Sequence, residues 1–204
     1  MVFAKTNLLC KIFFRKFMSG AEFERRDRSN GDELIPRVSR ETIDIVNMEF
    51  LNAEHGSGDL VETYLERISR VNPEVAGYIA GLAQQIPEEL YSSWVVHEGV
   101  LVYRVLELEF AQRGKEMPIV QREIADSLKM DPDQKERYFS ELASSLVTEN
   151  YELRQELAFS QFLLTWLPSK EVPTNQVARL ARESALGVYA LIQAQAKADR
   201  LSGL

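Results

Sequence analysis

His97 and Glu98 stand side by side in a stretch, 87–112, that as a helix is apolar on almost every side, and Tyr103, Arg104 and Glu107 follow shortly after. An imidazole beside a carboxylate is the material of acid–base chemistry. His97, Glu98, Tyr103 and Arg104 are therefore the candidate ligand or partner site, and no residue is assigned a catalytic role. Their spacing weighs against a working dyad: neighbours on a helix point about 100° apart, so His97 and Glu98 do not face each other. Arg104 and Glu107, three apart, can pair. The competing reading is a buried, satisfied histidine beside a paired or solvated polar edge.

Other chemistries have less to work with. The two histidines, His55 and His97, have no second ligand at helical spacing, and Glu49-x-x-Asn52 is not the Glu-x-x-His of di-iron bundles. No metal site and no cofactor are expected. There is no Gly-x-Ser-x-Gly and no phosphate-binding glycine loop. Residues 121–139 resemble a helix-turn-helix, with 129–131 as the turn and the second helix from Pro132. That helix opens on Asp131-Pro132-Asp133, and Lys135 and Arg137 are interleaved with Glu136, which is the wrong charge for a phosphate-tracking face.

The elements that hold these residues read as helices. Stretch 87–112 has one stripe of Leu90, Trp94, Leu101, Val105 and Leu108 and a second of Tyr91, Val95, Val102 and Leu106. Two adjacent stripes predict a helix covered on much of its girth. Pro87 suits a first helical position, Gly114 a stop after Arg113, and Gly99 a close helix crossing. Before it, helices are expected over 39–53 with Ser39 as cap, over 59–69, and from Pro73 with Asn72 as cap. After it, they are expected over 121–129, from Pro132 to about 147, over 151–167, and from 174 or 175 to about 201. No stretch alternates as a strand would.

The chain also repeats itself. Pro36, Val38, Arg40, Glu41 and Asp44 recur as Pro118, Val120, Arg122, Glu123 and Asp126, a shared P-x-V-x-R-E-x-x-D offset by 82. The same offset continues through Met48/Met130, Glu54/Glu136, Leu60/Leu142, Glu74/Glu156, Ala76/Ala158 and Leu82/Leu164. Val102-Tyr103 then matches Val188-Tyr189 at 86, implying an insertion near 168–173. Self-similarity changes the fold expected: all-α, a multi-helix bundle of two similar four-helix halves with approximate two-fold symmetry. The second half does not repeat the His-Glu pair, so a pocket between the halves would be asymmetric in chemistry.

Composition sets the outer bounds. The 204 residues are 45% hydrophobic and 27% charged with a net charge of −7, ordinary for a globular protein and unfavourable to non-specific binding of nucleic acid or anionic membrane. One cysteine, Cys10, excludes an internal disulfide framework. No apolar run reaches the roughly 18 residues of a membrane span. Residues 1–20 carry Lys5, Lys11, Arg15 and Lys16 and no acid, set among Phe, Leu and Ile. This basic amphipathic segment reads as an appended helix, an organelle-targeting segment or upstream sequence before a true start at Met18. Residues 21–32 read as a linker.

The organisation expected is 1–32 as a basic segment and linker, 33–114 as a first helical repeat and 115–204 as a second, packed as one body. The function expected is a non-enzymatic helical interaction or assembly module, cytoplasmic, binding a protein partner or a second copy of itself. A DNA-binding regulator using 121–139, and an enzyme or ligand binder with a pocket around His97, Glu98 and Arg104, are the alternatives.

Overall fold

Helix ends in this chain fall where local chemistry places them. The computed structural model describes residues 34–53, 60–164 and 174–203, and among these it is all-helical. The helices are α1 (Arg40–Ala53), α2 (Leu60–Val71), α3 (Pro73–Ala83), α4 (Glu89–Gln112), α5 (Arg122–Asp126), α6 (Pro132–Glu149), α7 (Tyr151–Leu164) and α8 (Thr174–Ser202). The segment Met1–Asp32 with Cys10 and Met18, His55, and the expected insertion at 168–173 lie outside the described residues.

Ser39 caps α1, its hydroxyl accepting the Thr42 N–H at 3.1 Å. Asp131 caps α6 by accepting the N–H groups of Asp133 and Gln134. Gly114 and Gly203 follow α4 and α8 with φ of 65° and 76°, the left-handed conformation that ends a helix and suits glycine. Pro87 is not the first residue of α4: the extended Glu88 intervenes as cap, and the helix starts at Glu89. Helix α5 is one short turn of five residues rather than the full 121–129.

Helices α4 and α8 pack along each other at the centre, with α3 against both. Helix α1 lies on α4 and α7, α2 on α3 and α4, α5 on α3 and α8, and α6 on α7 and α8. On α4 the buried residues include Val95, Val100, Leu101, Val102, Val105, Leu106 and Phe110, so this helix is covered nearly all round. Each such side chain contributes about 1.5–3 kcal/mol when fully buried. Two glycines allow close crossings, Gly99 of α4 against α8 and α3, and Gly187 of α8 against α3. A Cβ on Gly99 would run into the Ser184 hydroxyl and Ile79, and one on Gly187 into the ring of Tyr78.

Two asparagines tie distant segments together. Asn72, between α2 and α3, accepts the Val120 N–H at 3.0 Å and donates to the Pro118 carbonyl at 3.0 Å. Asn150, between α6 and α7, accepts the Val38 N–H at 2.9 Å and donates to the Pro36 carbonyl at 3.2 Å. Asn72 makes no side-chain cap bond to α3, contrary to its expected role, because its amide is committed to the Pro118–Val120 strap. One residue further on, the Ser39 N–H goes to Glu109 of α4 at 2.7 Å and the Gln121 N–H to Gln195 of α8 at 2.8 Å.

The single offset of 82 does not carry through the helices. Glu74 is the second residue of α3, whereas Glu156 is the sixth of α7. Leu60 begins α2, whereas Leu142 lies well inside α6. The register shifts because α5 has five residues where α1 has fourteen, which one fixed offset does not accommodate.

Candidate functional site

The four residues singled out from the sequence point at different neighbours. His97, on the α1 side of α4, has its ring 5.2 Å from that of Phe50 and 5.9 Å from that of Trp94. Arg104, two turns on, makes a two-pronged contact with Glu49 of α1, with both N–O distances 3.1 Å, and holds Glu107 at 2.7 Å. Its guanidinium also lies 5.5 Å from the ring centre of Tyr64, whose hydroxyl donates to Glu49 at 3.2 Å. Burial works against the Arg104 charge, but the hydrogen bonds to Glu49 and Glu107 outweigh it and hold the guanidinium above its usual range. Burial likewise pushes Glu49 up, and Arg104 and Tyr64 more than reverse it, so Glu49 stays below the ordinary carboxylate range. The expected pairing of Arg104 with Glu107 is present; the stronger pairing with Glu49 was not legible, because its partner is on another helix.

Tyr103 points elsewhere, into the core, and is 4% exposed. Burial and then the Glu107 charge push its phenol up to about 12, so it is a neutral group at physiological pH.

Glu98 and His97 come nearer than helix geometry alone suggests. His97 Nδ1 stands 3.5 Å from Glu98 Oε1, yet neither atom has a hydrogen-bond partner. Glu98 is 2% exposed. A second buried carboxylate is Glu156 of α7, which accepts from Asn47 at 2.9 Å and pairs with Arg40 at 3.4 Å, both on α1. Burial raises Glu156 above the ordinary carboxylate range; Asn47 and Arg40 oppose this, and the charges of Glu98 and Asp44 add to it. Nothing in the sequence marks Glu156 as a partner of Asn47 and Arg40, because more than 100 residues separate them.

Around α5 and α6, the residues proposed to read DNA are engaged within the protein. Asp131 is the α6 cap, Lys135 holds Glu183 of α8 at 2.8 Å, and Arg182 of α8 reaches Glu136 at 4.0 Å. Among the described residues, no group of three or more His, Cys, Asp and Glu side chains is placed to hold a metal ion, and no helix is long and apolar enough to cross a membrane.

The outer face of α1 is the remaining feature of note. Glu41, Ile45, Met48 and Asn52 follow one another at steps of four, three and four, so they share one stripe, opposite the buried Ile43, Val46 and Phe50. With Asp44 and Glu49 they line an open depression of about 580 Å³. Ile45 is 41% and Met48 52% exposed.

These features define an all-helical bundle with an apolar stripe on one outer helix and two buried carboxylates, Glu98 and Glu156. No protein family, curated protein or solved structure matches the chain.

Proposed function

We propose that the protein is a non-enzymatic helical interaction module that receives a basic amphipathic helix of a partner protein on the outer face of α1. The exposed Ile45–Met48 stripe carries this reading. An amphipathic helix docks by laying apolar anchors of helical spacing into such a depression, and methionine adapts to the partner that arrives. The rim chooses the partner's sign: Glu41, Asp44 and Glu49 surround the stripe, with Arg40 and Arg104 holding the latter two from the inner side. A second copy of α1 would oppose carboxylate to carboxylate, so a basic partner is the better fit. The probe is a synthetic helical peptide with leucine on one face and lysine on the other, beside a twin with glutamate for lysine. The lysine peptide should bind the wild type and the glutamate twin should not. The variant Ile45→Asp/Met48→Asp should bind the lysine peptide at least about tenfold more weakly at an unchanged thermal midpoint. Equal binding to the variant, or a concentration-dependent dimer that the variant abolishes, overturns the reading.

The same reading takes 33–114 and 115–204 as two copies of a four-helix unit, each arm crossing to the other copy. The crossed asparagines support it, since Asn72 holds Pro118 and Val120 while Asn150 holds Pro36 and Val38. So does the pairing of Ser39 with Glu109 and of Gln121 with Gln195. In this register α1, α2, α3 and α4 correspond to α5, α6, α7 and α8. Against DNA reading stands the engagement of Lys135 by Glu183. Against an enzyme pocket stands the divergence of His97, Glu98, Tyr103 and Arg104 toward separate neighbours.

A further inference from the structure

We propose that Met48 is an oxidation site that switches the outer face of α1: conversion of its thioether to the sulfoxide by a peroxide releases the docked helix. This regulation rests on the docking reading above. Met48 is 52% exposed and belongs to neither buried core cluster, so a small oxidant reaches it without any opening of the fold. Met117 and Met130 are half-buried and pack against the core. Among the described residues, Met48 is therefore the methionine most open to attack, and susceptibility to oxidation follows exposure. Its place is also the one where a change of polarity counts, in the middle of the stripe that Glu41, Ile45, Met48 and Asn52 form along the depression.

The chemistry balances with hydrogen peroxide as the co-reactant. A sulfur lone pair attacks one peroxide oxygen, the O–O bond breaks and an S–O bond forms. The second oxygen leaves as water, taking the proton of the first. Sulfur gives up two electrons and the peroxide gains them, and thiol-dependent sulfoxide reductases reverse the step. The product is a strong hydrogen-bond acceptor where an apolar anchor stood. Its surroundings are poor in donors: Glu41, Asp44 and Glu49 are acceptors when ionised, Glu49 is already held by Arg104 and Tyr64, and Ile45 has no polar atom. Of the side chains lining the depression, Asn52 alone can donate. A helix that lays its apolar face over the stripe therefore strips water from the sulfoxide oxygen and returns little, the cost of a buried unpaired acceptor. Without a partner the same oxygen stays in water, so the fold itself is unaffected.

The experiment treats the whole protein with hydrogen peroxide, removes the excess by desalting and locates the added oxygen by mass spectrometry of a digest. Affinity is then measured for the leucine–lysine helical peptide, which has no oxidisable side chain. Met48 should be converted before Met117 and Met130. With Met48 converted, the wild type should bind the peptide at least about tenfold more weakly at an unchanged thermal midpoint. Met48→Leu is compared only with itself: whatever its own affinity, that affinity should be the same before and after peroxide. This separates Met48 from Cys10 and from the methionines that both proteins share. Three results overturn the proposal: undiminished binding with Met48 fully converted, an equal loss in Met48→Leu, or a Met48 that resists peroxide while Met117 and Met130 react. Failure of the untreated wild type to bind the peptide is a different result, which removes the docking reading and the switch with it.

Discussion

Asn150 accepts the Val38 N–H at 2.9 Å across 112 residues of chain, and it returns a hydrogen bond to the carbonyl two residues before. Val38 is 5% exposed, and its segment has no helix or sheet to pair with. Buried backbone groups in such a segment need a side-chain partner. One primary amide, offering a donor and an acceptor side by side, serves both needs.

Asn150→Ala should therefore lower stability by about 1–3 kcal/mol, the cost of leaving a buried donor and acceptor unpaired. At this chain length each kcal/mol lowers the midpoint by roughly 2–4 °C. Asn72→Ala should do the same through Val120 and Pro118. A large loss for one and none for the other, measured by thermal unfolding, would contradict the equivalence of the two straps.

The four glycines inside helices α3, α4 and α8 separate into two kinds. Gly99→Ala and Gly187→Ala force a methyl into Ile79 and Ser184, or into Tyr78, and should destabilise by about 1–3 kcal/mol despite better helix propensity. The loss should be greater for Gly187, because Tyr78 also donates to the Glu183 carbonyl at 3.3 Å and cannot move freely. Gly77→Ala and Gly81→Ala meet nothing within 4 Å and should gain up to about 1 kcal/mol. Denaturant midpoints of the four variants check the order.

Glu49 gives a pH dependence opposite in sign to that of Glu156. Its carboxyl is lowered on folding, so its contribution is present above the ordinary value of 4.5 and is lost as pH falls through the lower folded value. Glu49→Gln should be less stable than the wild type at pH 7 and should lose less on acidification below about pH 4.5. Arg104→Lys should also be less stable, since an ammonium cannot reproduce the two-pronged contact. Equal acid profiles for Glu49→Gln and the wild type would mean the pair contributes nothing.

What was legible in the sequence was local. Asp131, Gly114 and Gly203 act on their own helix ends, and each does what its type and position imply. The stripes of α4 foretell its burial, and Gly99 its crossing. What was not legible depended on the fold. The proline after Asn72 implies a cap, while the true partners of Asn72 are 46 and 48 residues away. Asn150 carries no local signal, and the offset of 82 sets Glu156 against the half-buried Glu74. Among the candidate site residues, Arg104 and Glu107 pair as their spacing implies, whereas the approach of Glu98 to His97 depends on side-chain torsions that no periodicity encodes.

The straps also predict how the chain behaves when cut. Lys115 and Glu116 are exposed and lie in the irregular stretch 115–120, so a protease site inserted between them opens the chain without touching a helix. Cutting there severs α4 from α5 but leaves four ties in place. Val38 stays on Asn150 and Val120 on Asn72, while α4 keeps its long contact with α8 and α1 its seat on α7. That interface is built from fully buried side chains such as Leu101, Leu106, Leu186 and Leu191, the composition of a core and not of a transient contact. The two pieces should co-elute on gel filtration under native conditions and part only in denaturant. The midpoint of the cut protein should fall and become dependent on concentration, because refolding is now bimolecular. Pieces that elute separately at micromolar concentration would mean that the halves are joined by the 113–117 connection alone.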